Sequence, residues 1–101
     1  DNCNTAWLAF PIQIKENAPF SRKEFQIFLE KRNIQTRVVF TGNINRQPGF
    51  ININKRTNNE GYPEADYVMR NGILLPLHHG MNDEMFDKLH SSIDLFLKKF
   101  I

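Results

Sequence analysis

The organisation of this chain is best approached from one stretch in its middle, Thr36-Arg37-Val38-Val39-Phe40-Thr41-Gly42-Asn43-Ile44-Asn45-Arg46-Gln47-Pro48-Gly49-Phe50. Its apolar first part, residues 36–40, predicts a buried strand. Amide and guanidinium side chains follow at Asn43, Arg46 and Gln47. Polar groups at the end of a rigid strand are a common place for binding residues, and these types match hydroxyl and phosphate oxygens. The alternative interpretation is a solvated connection made of ordinary turn residues.

A further side chain is a candidate for the same ligand. Arg37 is the only charged residue of the predicted strand over 36–40. It either faces solvent on one side of the sheet or reaches toward whatever the loop at 43–47 binds.

Upstream of this stretch, the sequence predicts one strand and one helix. The strand covers residues 7–14, and Pro11 within it indicates an edge position or an irregular strand. The helix begins at Ser21, which forms a capping box with Glu24. It ends near Asn33, a residue type that adopts the left-handed conformation at helix C-termini.

Downstream, the pattern predicts two helices with a strand between them. Residues 50–54 alternate and indicate a short strand or an irregular segment. Pro63 fits the first turn of a helix over 64–71 that Gly72 ends, and residues 73–77 form the next strand. Asn82 caps the last helix. The apolar residues of that helix recur every three or four positions, as in a helix lying on a sheet: Met85, Phe86, Leu89, Ile93, Phe96, Leu97 and Phe100.

The order of elements indicates the fold class. A helix between the first two strands suggests a parallel, right-handed crossover. We therefore predict an α/β (α+β) two-layer sandwich, in which helices cover a small, mixed sheet of three strands. The whole chain, residues 1–101, forms a single domain.

Composition excludes several classes of function. The 101 residues carry a formal net charge of +2, which gives no strong attraction to nucleic acid or to a membrane. No apolar run approaches the roughly 20 residues of a membrane span. Cys3 is the single cysteine, so an internal disulfide and a Cys-based metal site are both impossible, and a cytoplasmic setting is expected. Because the first residue is Asp1, we expect the chain to be a piece of a longer protein.

Chemically reactive side chains are present but do not form a recognisable catalytic set. His78 and His79 are adjacent and point to opposite sides of an extended backbone, and two histidines without a third ligand are a weak metal signal. A polar turn is the favoured interpretation. Serine hydroxyls such as that of Ser21 have no histidine or acid at a useful spacing. The sequence therefore predicts no catalytic, metal-binding or cofactor-binding residue on this chain.

Three segments together resemble the DegT/DnrJ/StrS group. The stretch at 36–50 looks like the strand and loop of the sugar 3-dehydrases of that group. Residues 75–84, LPLHHGMNDE, are similar to the LP-x-H-P-G-L-T-x-E start of the last helix in the whole group, with His79 in place of the usual proline. Residues 7–10 and 18–24 match the opening of the same region. Gly42-Asn43 with Arg46-Gln47-Pro48 favours a dehydrase, because aminotransferases of the group usually carry a His/Tyr-Pro version there.

The resemblance implies a function for a larger protein. Such a protein would be a fold-type I, vitamin B6-dependent enzyme that removes the C3 hydroxyl of a nucleotide-linked 4-keto-6-deoxyhexose, in dideoxysugar and lipopolysaccharide O-antigen biosynthesis. Its cofactor would be pyridoxamine phosphate or pyridoxal phosphate, held by a preceding large domain that also supplies the active-site base. A homodimer is expected, and this chain would be the C-terminal small domain.

Within that scheme, this chain would close the substrate cleft and be inactive alone. The resemblance and the residue types together assign substrate contacts to Asn43 and Arg46 first, then to Arg37 and Gln47, and then to His78. Two alternatives stand beside this hypothesis. One is the same domain of a nucleotide-sugar aminotransferase, which would differ in having a Lys instead of a His as the base in the missing part. The other is a stand-alone α/β binding or regulatory module.

Overall fold

The structure, a computed structural model, describes residues 4–101. Its elements are, in chain order, β1 (Ala9–Gln13), α1 (Arg22–Glu30), α2 (Pro48–Ile51), α3 (Pro63–Asn71), β2 (Gly72–Pro76) and α4 (Asp83–Leu97), with 3₁₀ turns at Ile44–Arg46 and Lys98–Phe100. Cys3, for which the sequence predicts no disulfide partner, lies outside the described residues.

The predicted start and end of α1 are confirmed. Glu24 N–H donates to Ser21 Oγ at 3.2 Å, and Ser21 N–H donates to a Glu24 carboxylate oxygen at 2.8 Å, which is the reciprocal pattern of a capping box. The Ser21 N–H and hydroxyl both donate to the Glu24 carboxylate, and these two hydrogen bonds lower the pKa of Glu24. At the other end, Asn33 has a φ of 59°, so it is in the left-handed conformation expected of it.

Strands β1 and β2 lie far apart in the sequence and pair antiparallel. Phe10 is opposite Leu75 and Ile12 is opposite Ile73. Side chains of Ile73 and Leu75 are buried, and they lie on the same face because successive residues of a strand alternate. The strands predicted at 7–14 and 73–77 are therefore confirmed, with bounds shifted by one or two residues.

The predicted third strand at 36–40 is reduced to a single antiparallel bridge between Arg37 and Leu74. Arg37 N–H donates to the Leu74 carbonyl at 3.1 Å, and Leu74 N–H donates to the Arg37 carbonyl at 2.7 Å. The named sheet within the described residues thus has two strands, not three, and it is antiparallel, not mixed. Since Leu74 is also opposite Pro11, the segment at Arg37 lies on the other edge of β2 from β1.

The reason lies in the hydrogen-bonding groups of β2. On one edge of a strand these groups recur at every second residue, so the positions flanking Leu74 are Gly72 and Pro76. Gly72 N–H is already bonded to the Val68 carbonyl at the end of α3. Pro76 has no N–H. Leu74 is therefore the one position on this edge of β2 that offers a neighbouring strand both an N–H donor and a C=O acceptor. The same geometry accommodates Pro11, whose missing N–H falls at a position where β1 makes no ladder bond.

Residues 48–51 form a short helix, so the predicted strand or irregular segment over 50–54 is wrong at its start. Pro48 occupies the first helical position, where its fixed φ suits a helix and its missing N–H costs nothing. At the other end, Lys55 Nζ donates to the Ile51 carbonyl at 3.2 Å and also bonds the Phe50 carbonyl. Proline at the first position and the Lys55 contacts at the C-terminal end outweigh the alternating pattern.

Helices α1 and α4 cover the face of the sheet that carries Ile73 and Leu75. The core contains eight buried apolar residues: Ile14, Phe25, Leu29, Ile34, Ile73, Leu75, Leu89 and Phe96. Phe96 of α4 contacts Phe25 of α1, with ring centroids 5.0 Å apart. Two layers, helix on sheet, agree with the predicted α+β class, and the arrangement leaves the polar loop at 41–47 outside the core.

Candidate functional site

The polar loop after residue 40 lies directly on helix α3 because of a glycine. Gly42 has a φ of +61°, and a Cβ atom at this position would lie 2.3 Å from Cβ of Met69. A side chain is therefore excluded both by the backbone conformation and by the contact. This close approach places the next residues of the loop against the first turn of α3.

Asn43 uses one end of its amide inside the loop and the other on helix α3. Its Oδ1 accepts from Asn45 N–H at 3.0 Å, which caps the 3₁₀ turn at Ile44–Arg46. Its Nδ2 donates to Asp66 Oδ1 at 2.8 Å. The residue is only 5% exposed. These contacts make Asn43 part of the framework that orders the loop.

Arg46 forms a bidentate ion pair with Asp66, in the first turn of α3. Its Nη2 donates to Asp66 Oδ2 at 2.6 Å, and its Nε donates to Asp66 Oδ1. The Asp66 side chain is 14% exposed, whereas the Arg46 side chain is 59% exposed. A side-on pair of this kind fixes the plane of the guanidinium as well as its position.

The pair is electrostatically tight. Hydrogen bonds from Arg46 first, and from Asn43 second, lower the pKa of Asp66 from 3.8 to about 2. The hydrogen bond and the charge of Asp66 in turn raise the pKa of Arg46. Both groups therefore stay charged throughout the neutral range, and their charges largely cancel each other.

An open cleft of ≈ 400 Å³ lies beside this pair. Its walls are mostly polar, with one aromatic ring, and include Asn45, Arg46, Lys55, Thr57, Tyr62 and Asp66. Arginine has five N–H donors, and Asp66 takes two of them, one from Nε and one from Nη2. Within residues 4–101, Nη1 of Arg46 has no hydrogen-bond partner, so three N–H groups remain for a ligand. Hydroxyl, carbonyl and phosphate oxygens are suitable acceptors for such an edge.

The other predicted contacts are placed elsewhere. Gln47 Nε2 donates to the Thr41 carbonyl at 2.8 Å and thereby closes the loop. Arg37 and His78 line a second, smaller cleft of ≈ 200 Å³ beside the end of β2. His78 Nδ1 accepts from Gly80 N–H at 3.2 Å, as expected of a histidine in a polar turn. The structure thus brings Asn43 and Arg46 together and keeps Arg37 and His78 apart from them.

Asp66 is the member of this hydrogen-bonded cluster that the sequence did not reveal. An acidic residue in the first turn of a helix is ordinary, because it complements the helix dipole. Twenty positions separate it from Arg46, and no periodic pattern links the two. Only the approach of the loop to α3 brings them together.

Two kinds of feature are absent from the described residues. None of the helices in residues 4–101 combines the length and apolar character required to cross a membrane. Over the same residues, no group of three or more His, Cys, Asp or Glu side chains is arranged to hold a metal ion.

Comparison with known proteins identifies a family whose model matches this chain. A family model, that of the DegT/DnrJ/EryC1/StrS aminotransferase family, matches residues 1–94. Among solved structures, a DegT DnrJ EryC1 StrS aminotransferase from Brucella abortus superposes with a TM-score of 0.72 and 16% identity, over 87% of this chain and 22% of that one. That likeness concerns the fold.

Two curated proteins are similar in sequence. The dTDP-4-dehydro-2,6-dideoxy-D-glucose 3-dehydratase of Saccharopolyspora spinosa is 35% identical over 94 residues, which is 93% of this chain. The lipopolysaccharide biosynthesis protein RfbH of Salmonella typhimurium is 31% identical over 96 residues, which is 95% of this chain. The chain spans 20% and 22% of the lengths of these relatives.

Proposed function

The chain belongs to the DegT/DnrJ/EryC1/StrS aminotransferase family, and from that premise we propose that it is the substrate-facing C-terminal domain of a nucleotide-sugar 3-dehydratase. The full enzyme would remove the C3 hydroxyl of a nucleotide-linked 4-keto-6-deoxyhexose in dideoxysugar or lipopolysaccharide biosynthesis. The names of the two curated relatives support this reaction class.

The observation that carries the proposal is the outward edge of Arg46 in a polar cleft. Three N–H groups on a guanidinium of fixed orientation are suited to the oxygens of a sugar or of its phosphates. Tyr62 adds an aromatic surface to the same cleft, and Thr57 adds a hydroxyl. Together these groups can hold one end of an oxygen-rich ligand while the reacting carbon lies in another part of the enzyme.

The residues of this cleft do not fit a pyridoxal or pyridoxamine phosphate cofactor. Lys55 is the one lysine among the described residues that line it, and its ammonium is bonded to the carbonyls of Phe50 and Ile51. Asp66, a half-buried carboxylate of the cleft, is paired with Arg46 and Asn43. We therefore assign the cofactor and the catalytic base to the remainder of the protein, and we expect this chain alone to be inactive.

Exposed apolar side chains support a role in covering the cleft of a larger enzyme. Leu8, before β1, is 94% exposed, and Phe40, before the polar loop, is 90% exposed. Phe40 also has a φ of +36°, a left-handed backbone that a bulky side chain rarely adopts. An isolated domain gains nothing from such a residue. Contact with the missing large domain, in a homodimeric parent enzyme, would give it a function.

The substitution Arg46→Ala in the full-length enzyme tests the proposal. With dTDP-4-dehydro-2,6-dideoxy-D-glucose as the probe, we expect KM to rise about tenfold or more, because a charge-assisted hydrogen bond to the substrate is lost. Cofactor absorbance should stay unchanged. Arg56, directly before Thr57, does not line the cleft, so Arg56→Ala is the matched control and should leave KM unchanged.

Two results would contradict this assignment. An unchanged KM in Arg46→Ala would remove the residue from the substrate site. Loss of cofactor absorbance with a normal KM would move Arg46 to the cofactor. Product analysis separates the reaction classes, since a dehydratase yields a 3-deoxy sugar whereas an aminotransferase yields an amino sugar.

A further inference from the structure

We propose that Asp66 is a positioning residue, which acts through Arg46 to set the direction in which the guanidinium meets the substrate. This inference rests on the proposed function, since it requires Arg46 to contact the substrate. Asp66 lies in the first turn of α3, where its N–H donates to the Tyr62 carbonyl at 3.0 Å. Its carboxylate is thus attached to a regular helix, and Arg46 is not.

The loop that carries Arg46 needs this support. The Arg46 side chain is mostly exposed and its 3₁₀ turn spans only three residues, Ile44–Arg46. A free arginine side chain samples many rotamers, and fixing it in one of them on binding costs side-chain entropy. The two hydrogen bonds to Asp66 meet that cost before the substrate arrives. Preorganisation of this kind strengthens binding without any new contact to the ligand.

Asp66 also changes what the site selects. Because its charge offsets that of Arg46, the pair presents directed N–H donors with little net positive charge. The remaining edge therefore discriminates by the position of acceptor oxygens more than by total ligand charge. A sugar carbonyl, a hydroxyl and a phosphate oxygen share this acceptor chemistry.

Asn43 and Gly42 complete the arrangement around Asp66. The Asn43 amide donates to the same carboxylate oxygen, Oδ1, that accepts from Arg46 Nε. Gly42 allows the loop to contact Met69, which lies on α3 three positions after Asp66. The loop therefore packs on one face of α3 through two sets of contacts: Gly42 lies against Met69, and Asn43 and Arg46 donate hydrogen bonds to Asp66.

A double-mutant cycle in the full-length enzyme tests the inference. KM for dTDP-4-dehydro-2,6-dideoxy-D-glucose is compared among the wild type, Asp66→Ala, Arg46→Ala and the double variant. We expect Asp66→Ala to raise KM about fivefold to tenfold with a smaller change in kcat. The double variant should be no worse than Arg46→Ala alone, because Asp66 acts through Arg46. Asp66→Glu should recover part of the loss.

Two further variants guard the experiment against misfolding and general charge effects. Asp66→Asn keeps the shape and one acceptor, and should give a KM between those of the wild type and Asp66→Ala. Glu64→Ala removes a carboxylate from the same first turn of α3 that is not the ion-pair partner of Arg46, and should leave KM unchanged.

Each remaining outcome overturns the inference. Wild-type KM in Asp66→Ala, with a raised KM in Arg46→Ala, refutes the positioning role and leaves the proposed function intact. Independent, multiplying effects in the double variant would show that Asp66 acts apart from Arg46. A wild-type KM in Arg46→Ala removes Arg46 from the substrate site and overturns the inference with it, whereas the reaction class is still decided by product analysis.

Discussion

At the scale of single residues, most polar side chains of the loop are already hydrogen-bonded within the protein, and few are available to a ligand. Asn43 and Gln47 are used within the loop and by Asp66, so they contribute order. Arg46 alone of these three combines a fixed plane with an exposed edge. A residue type that suits a ligand is therefore not sufficient evidence of contact, since the same hydrogen-bonding capacity also serves the fold.

The Asp66–Arg46 pair predicts a pH dependence of stability. The carboxyl of Asp66 has its pKa lowered from 3.8 to about 2 by folding. A lowered pKa means that the stabilisation is complete above pH 3.8 and is lost as the pH falls through about 2. We therefore expect wild type and Asp66→Asn to differ most in urea midpoint at about pH 5 to 7, and to converge toward pH 2.

Urea unfolding of both proteins, followed by circular dichroism across this pH range, provides the measurement. The difference between the two proteins cancels the acid sensitivity of the other carboxylates. A constant difference at every pH would mean that the charge of Asp66 contributes nothing to the folded state.

At the scale of elements, α1 shows how a local motif determines a boundary. Ser21 and Glu24 exchange hydrogen bonds at its start, and Asn33 provides the left-handed residue after its end. Each of these signals acts over three residues or fewer, and so they can be read without knowing the fold. The same is true of Pro63 and Gly72, which bound α3 as predicted.

The cap of α1 gives a second prediction for stability. Ser21→Ala removes the acceptor for Glu24 N–H, so the free energy of unfolding should fall by roughly 1 kcal/mol. The control is Ser91→Ala in α4, because that hydroxyl bonds only the Lys88 carbonyl within the helix. Its effect should be near zero, since alanine is the better helix former. Equal losses in both variants, measured by denaturant titration, would contradict a specific role for the cap.

The segment at 36–40 shows the opposite case. Its β-branched residues favour a strand, yet it makes one bridge. The limit is set by β2, where Gly72 has given its N–H to α3 and Pro76 has none to give. Propensity in one segment cannot reveal whether its neighbour has free hydrogen-bonding groups.

At the scale of the whole molecule, the apolar surface indicates a partner that the chain itself does not contain. Phe40 combines nearly complete exposure with a left-handed backbone. Such strain persists where surrounding structure compensates for it. Because this chain spans about a fifth of its curated relatives, we expect the compensation to come from the rest of the enzyme.

The substitution Phe40→Asn tests that expectation in two contexts. In the 101-residue chain it should leave the free energy of unfolding unchanged or raise it by up to about 1 kcal/mol, since asparagine tolerates a positive φ. In the full-length enzyme it should lower the melting temperature, because an apolar contact between domains is lost. Leu95→Gln, on the half-exposed outer side of α4, is the control for loss of an exposed apolar side chain.

Thermal unfolding monitored by calorimetry distinguishes the outcomes. A lower melting temperature only in the full-length protein supports the contact. Destabilisation of the isolated chain by Phe40→Asn would show instead that Phe40 packs within the domain.

The amino-acid sequence by itself determined the features that depend on neighbouring residues: the ends of α1 and α3, the cap of α4 at Asn82, the two apolar strands, and the motifs that resemble the family. Helix caps and hydrophobic periods are local, so the order of residues contains them in full. Only the tertiary structure decided that the third strand stops at one bridge and that Asp66 holds Arg46. Both depend on contacts between residues far apart in the chain. A hydrogen-bonding group that is already bonded to one partner is not available to a second one.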